Sequence, residues 1–283
     1  MKPAVAAGLL VALTAPASAD WPSSWHEPTA PFHVVGNIYY VGSKGLASYL
    51  ITSPEGAILL DGTLAENVPA IERNIASLGF TIRDVKILLN THAHFDHAAG
   101  LARLKADSEA RLFASAGDKP ILESGHLKVE NSNDLPDFAP VRVDRTLRDN
   151  EVVRLGPIVM RAILTPGHTP GCTSWTTIVR DHGRSLRVVF PCSITTAGNR
   201  LIGNMGYRGI VADYRRSFAR LGALHADVVL TAHPEIADVQ GRAARRRDDG
   251  PDAYIAPKSL HEIVAAAQRD FERDLLKEKA AAR

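Results

Sequence analysis

The chain has 283 residues, with 33 lysines and arginines against 31 aspartates and glutamates, a formal net charge of +2. A balance so near neutral argues against binding driven by nucleic-acid phosphates. Hydrophobic residues at 45% and charged ones at 23% exclude a disordered or fibrous chain, and 2 cysteines are too few for a disulfide framework or a zinc ribbon, though enough for one bridge in an oxidising compartment.

In chain order, Lys2 precedes an apolar run from Ala4 to Leu13 and the small-residue stretch Ala15-Pro16-Ala17-Ser18-Ala19, the pattern of a secretory signal peptide cleaved after Ala19. The run falls well short of the roughly 20 residues that a membrane-spanning helix needs, so residues 1–19 read as a signal and 20–283 as one exported domain. Residues 38–41, 47–52 and 57–61 read as successive strands, the last two joined by a turn at Pro54-Glu55-Gly56. Asn67 opens a helix with Val68, Ile71, Ile75 and Leu78 on one face and Gly79 as its stop, and 85–89 is an apolar run of buried-strand type. A further helix begins near Ala98. The polar stretch 126–140, with Pro136 and Pro140, reads as a surface loop of a length that usually carries function. Strands return at 159–164, 173–179 and 186–190, with a turn at Asp181-His182-Gly183, then a helix over about 212–224 and a strand at 228–231. Arg245-Arg246-Arg247, followed by Asp248-Asp249, reads as a solvated surface turn. Leu260, Ile263, Val264, Ala267, Phe271 and Leu275 share one face of a closing helix. Two α/β halves of similar build predict one domain packed sheet against sheet with helices outside.

The informative stretch is Thr91-His92-Ala93-His94-Phe95-Asp96-His97, which places four metal-capable side chains within six residues, directly after the strand at 85–89. Carboxyl ends of strands are where open α/β sheets place ligand sites. In an irregular loop His92 and His94 can face one way and Asp96 and His97 another, so the spacing predicts two adjacent metal ions. His168 and His233 each follow a strand as well. His26, His33, His126, His182, His225 and His261 lack this setting and read as ordinary surface or partly buried residues.

These residues resemble the metallo-β-lactamase fold superfamily, whose HxHxDH signature is reproduced by His92, His94, Asp96 and His97. The resemblance extends over nearly the whole mature chain, through 45–50, 60–62, the turn Pro166-Gly167-His168-Thr169-Pro170-Gly171 and Ala232-His233-Pro234. It is strongest to the subclass B3 metallo-β-lactamases, which share the Trp25 to Pro31 type of lead-in and the helix start at 67–72. It implies a four-layer αβ/βα sandwich and two zinc ions, one on His92, His94 and His168 and the other on Asp96, His97 and His233. Where glyoxalase II, lactonase-like and ribonuclease Z-like members carry a bridging aspartate, this chain has Pro191-Cys192-Ser193. The B1 and B2 lactamases use a cysteine ligand near this point, so Cys192 competes with the B3 pattern of a serine at Ser193 and a ligand at His97; the presence of His97 favours the B3 pattern. A second imidazole at His94, where the diiron relatives have glutamate, favours zinc.

The activity so implied is hydrolysis of the β-lactam amide by a metal-bridging hydroxide oriented by Asp96, conferring β-lactam resistance. Ser193 and Thr195 match the hydroxyl pair that holds the substrate carboxylate, although serine is more usual at the second position; ordinary turn residues are the other reading. The expected partner is a small-molecule β-lactam, with no nucleic acid and no membrane, met by a monomer in the periplasm or outside the cell. A lactonase or thioester hydrolase on the same fold is the alternative, opposed by the missing aspartate, and an exported zinc-binding protein without turnover is a third reading. Cys172 and Cys192 flank strands expected to pair, so either a disulfide or two free thiols fits them.

Overall fold

The computed structural model describes residues 21–131, 133 and 135–282; the expected signal at 1–19 lies outside them. The first half of the chain runs β1 (Phe32–Val35), β2 (Ile38–Tyr40), β3 (Tyr49–Ser53), β4 (Gly56–Leu60), α1 (Val68–Ser77), β5 (Val85–Leu89), α2 (Phe95–Ala98), α3 (Leu101–Ser108), β6 (Arg111–Ser115), α4 (Lys119–Ser124) and β7 (Arg145–Leu147). The second runs β8 (Val152–Leu155), β9 (Ile158–Leu164), β10 (Thr173–Asp181), β11 (Arg184–Phe190), α5 (Ile210–Gly222), β12 (Val228–Val229), α6 (Val239–Asp249) and α7 (Ser259–Ala281). One sheet of 7 strands is ordered β1 to β7, antiparallel as far as β4 and parallel beyond it; the other, of 5, is ordered β12-β11-β10-β9-β8.

Strand alternation builds the layers. In β4, Ala57 and Leu59 face Val68, Ile71 and Ile75 of α1, while Ile58 and Leu60 face the second sheet, in one cluster with Met160, Trp175 and Val188. Tyr214, Phe218 and Phe271 bring α5 and α7 onto the same core. The sheets therefore meet face to face with helices outside, the expected αβ/βα sandwich.

Some details differ from expectation. The strand expected at 47–52 begins at Tyr49, because Ala47 and Ser48 belong to a tight loop in which the Val41 amide donates to Ser48 and the Ala47 amide to the Ala232 carbonyl of the other half. Gly42 permits that loop, since a Cβ there would lie 2.2 Å from the Leu46 carbonyl oxygen. The helix expected near Ala98 starts at Phe95, so Asp96 and His97 sit on a helical turn and not in irregular loop. The arginine triplet lies within α6 instead of a turn: Val239 and Ala243, one helical turn apart, pack on the core, Arg245 pairs with Asp238 at 2.5 Å, and Arg246 donates to the Val34 carbonyl of β1. Cys172 and Cys192 are bonded, with Cα atoms 5.9 Å apart, at the ends of the paired strands β10 and β11, which removes Cys192 from the possible ligands.

Candidate metal centre

The register of the second sheet brings Leu164, Thr173 and Phe190 to one edge, and the Thr173 amide donates to the Thr91 carbonyl of the first half at 2.8 Å. The loops after β5, β9, β11 and β12 consequently converge. Asp61, at the end of β4 and in left-handed conformation with φ 64°, accepts from the Thr91 amide at 2.7 Å, the Thr91 hydroxyl at 2.7 Å and Asn90 Nδ2 at 2.9 Å. Asp118, just before α4, accepts from the Ala93 amide at 2.9 Å, the Thr169 hydroxyl at 2.9 Å and the Gly171 amide at 2.8 Å. It thus ties the loop of His92 and His94 to the turn of His168. Gly171 is required for this approach, because a Cβ would fall 2.1 Å from the Asp118 nitrogen. Burial pushes both carboxyls up to about 6.

The rings are aimed by their outer nitrogens. His168 Nδ1 donates to the Thr195 carbonyl at 2.7 Å, while Asn199 Nδ2 holds the His168 carbonyl at 2.9 Å. The Thr91 hydroxyl, already donating to Asp61, accepts from His92 Nδ1 at 3.1 Å. Each Nε2 is left with its lone pair facing inward. Nitrogen atoms of His92, His94 and His168 lie within 4.8 Å of one another, and the buried Nε2 atoms of His92 and His94 have no partner among the described residues. Such a buried orphan costs about 1–3 kcal/mol unless something binds it.

Asp96, His97 and His233 form the second set. Asp96 Oδ2 lies 3.1 Å from His97 Nε2 and 3.3 Å from His233 Nε2, and the two nitrogens are 3.2 Å apart. Tetrahedral zinc, with bonds of about 2.0–2.1 Å, would place its ligand atoms roughly 3.3 Å from one another. His92 also comes within 4.8 Å of Asp96 and His97, so the sets adjoin. Burial holds His92 and His168 well below the usual imidazole range and brings His94 to about 4, which keeps all three neutral and ready to ligate. Burial acts to raise the Asp96 carboxyl, but His97 and His233 outweigh it and hold it well below the usual range. The residues fit a metal cofactor.

All six sequence-predicted ligands are thus together. Ser193 is half-buried, its hydroxyl engages no other described residue, and it lines a cleft of about 520 Å³ that reaches the donors through His233 alone. Thr195 lines the same cleft with its side chain exposed, and its carbonyl accepts from His168 Nδ1. Sequence reasoning gave no role to Asp61, Asp118, Asn199 or Trp25, whose ring centroid is 5.5 Å from that of His233. For Asp61 a signal existed, a carboxylate at a strand end before Gly62; for Asp118 only the helix start marked by Pro120 did.

Comparison with known proteins gives a family match over residues 41–233, to the Metallo-beta-lactamase superfamily. Among solved structures, BJP-1, a subclass B3 metallo-beta-lactamase of Bradyrhizobium japonicum, is similar with a TM-score of 0.87 and 42% identity over 92% of this chain and 98% of that one. The FEZ-1 metallo-beta-lactamase from Legionella gormanii gives 0.85 and 36% over 89% and 98%. Among curated relatives, the hydroxyacylglutathione hydrolases of Rhodospirillum rubrum and a Methylobacterium species are 34% and 33% identical over 113 and 101 residues, 40% and 35% of this chain. The match spans about a third of the length of these two relatives, 35% and 31%.

Proposed function

The chain belongs to the metallo-beta-lactamase superfamily, and from that membership we propose that it is an exported zinc enzyme that opens the amide bond of β-lactams, giving resistance to them, and works as a monomer. The observation that carries this reading is the division of six converging donors into two sets of three, beside a loop, Pro191-Cys192-Ser193, that brings no carboxylate. His92, His94 and His168 would hold one zinc, and Asp96, His97 and His233 the other. Zinc bound there supplies Lewis acidity toward the carbonyl and the departing nitrogen and makes water a nucleophile near neutral pH.

The chain's own residues supply the rest. Asp96 turns Oδ2 toward the Nε2 atoms of His97 and His233, the donors it would share a zinc with, and leaves Oδ1 to accept a hydrogen bond from the attacking water. Ser193 donates to the substrate carboxylate from the wall of the cleft beside His233. A cleft of about 520 Å³ suits a small molecule. Export is supported by the 172–192 disulfide and by the signal-like pattern of residues 1–19 in the sequence; among the described residues no helix is long and apolar enough to cross a membrane.

The hydroxyacylglutathione hydrolases among the relatives favour thioester hydrolysis as a second reading. A chromogenic cephalosporin and an S-acyl glutathione, each assayed with and without chelator, separate the two. Cephalosporin opening that is lost on chelation and restored by zinc is expected; thioester turnover without it would select the second reading, and neither activity would leave a metal-binding protein without turnover.

A further inference from the structure

Each ligating histidine needs something to hold its ring, and an outer hydrogen bond is the usual device. His92 has the Thr91 hydroxyl and His168 the Thr195 carbonyl, at 3.1 and 2.7 Å. His233 has neither. Its Nδ1 lies 3.9 Å from Glu235 Oε1, beyond hydrogen-bond reach. Its side chain is 18% exposed, against 0% for His97 and 8% for Asp96, so packing alone confines it less than its partners.

Besides His97, a member of its own donor set with ring centroid 4.8 Å away, the ring that meets His233 is Trp25, at 5.5 Å between centroids and 37° between planes. The indole is itself held firmly. Trp21 stacks on it at 5.4 Å and 8°, Phe95 packs at 6.1 Å, the Trp25 carbonyl accepts from Asn67 Nδ2 at 2.9 Å, and the Gly45 amide donates to Ser24 at 2.8 Å. Gly45 lets the arm come this close, because a Cβ there would lie 2.9 Å from Trp25 Cδ1. Phe95 stands between His94 and Asp96 in the chain. One indole therefore joins the two segments that bring Asp96, His97 and His233 together.

We propose that Trp25 is the positioning residue for His233, its ring contact standing in for the missing outer hydrogen bond and setting the affinity of the second donor set for its metal. A metal-bound imidazole is more positively polarised than a free one, so the face of an indole favours the bound state as well as the orientation. The inference rests on the two-ion reading above.

Zinc titration of the metal-free chain in competition with a chromophoric chelator tests it, on the wild type, Trp25→Ala and Trp25→Phe. The wild type is expected to show two binding steps. Trp25→Ala should leave the first step in place and weaken the second by about tenfold or more, the usual scale for losing an outer partner, and Trp25→Phe should recover most of that loss. The intact first step also reports that the variant is folded. An unchanged second step in Trp25→Ala, or equal weakening of both steps, overturns the proposal while leaving the two-ion reading intact. A wild type that takes up one ion only overturns both.

Discussion

Asp118 is outside both donor sets, yet it ties together the loops that build the first: its two oxygens accept from Ala93, Thr169 and Gly171, on the two loops that present His92, His94 and His168. Asp118→Asn turns one acceptor into an NH2 group aimed at donors, leaving at least one buried N–H or O–H unpaired. The expected loss is about 1–3 kcal/mol, read as a lower denaturation midpoint together with weaker metal retention; an unchanged midpoint would show that the loops stand without it. Ser193 and Thr195 separate at the same scale. On the proposed reading Ser193→Ala removes a hydrogen bond to the substrate carboxylate, a contact made in ground and transition states alike and typically worth about 1.5–3 kcal/mol, so KM should rise roughly 10- to 100-fold with kcat little changed. Thr195→Ala keeps the carbonyl that holds His168, and its effect on KM should be much smaller. Equal effects from the two variants would support the paired-hydroxyl reading.

At the scale of elements, the strand that delivers His168 is pinned at its end from outside the site. Asp149, in the turn between β7 and β8, accepts from the Leu164 amide at 3.0 Å and pairs with Arg220 of α5 at 2.8 Å, while Arg220 also donates to the Leu164 carbonyl at 3.2 Å. Burial acts to raise the Asp149 carboxyl, but Arg220 and the Leu164 amide outweigh it and hold it below its usual 3.8. A depressed carboxyl contributes stability above its unfolded value and loses it as pH falls through the folded one. Asp149→Asn should accordingly melt lower than the wild type at pH 5–7, and the gap should narrow as the pH falls below 3.8 and through the lower folded value. A gap independent of pH would assign the role to shape instead of charge. None of this was legible in the sequence, because Asp149 and Arg220 are 71 positions apart and nothing local marks them as partners. What was legible is what repeats or concentrates: the apolar run of β5, the period of α1 and α7, and the density of ligands at 92–97. Strands β1, β6, β7 and β8 went unread because three to five residues, some charged, carry too little alternation. The left-handed Asp61 and the arm of Trp25 depend on contacts that only the closed sandwich creates.

For the whole molecule, the donors come from both sheets: His92, His94, Asp96 and His97 follow β5, whereas His168 and His233 follow β9 and β12. Each set therefore joins the two halves, His168 closing the first and His233 the second. Bound metal acts as a clamp between sheets whose own core is already extensive, running from Ile38 and Tyr49 through Trp175 to Phe271. The metal-free chain should for that reason remain folded but melt earlier. An ion present at a hundredfold its dissociation constant adds about 2.7 kcal/mol, which for a domain of this size corresponds to a fall of roughly 5–10 °C on chelation. The loss should be local as well as global, with hydrogen exchange quickening first at 90–97, 165–171 and 231–234, where the halves are joined, and last in β10 and β11, which pair along 7 residues. His168→Ala and His233→Ala should each reproduce part of the fall and add little to it after chelation, since the clamp they serve is then already gone. If chelation removes the metal and leaves both the melting temperature and the exchange pattern unchanged, the ions do not join the two sheets and the division of donors between them carries no stability.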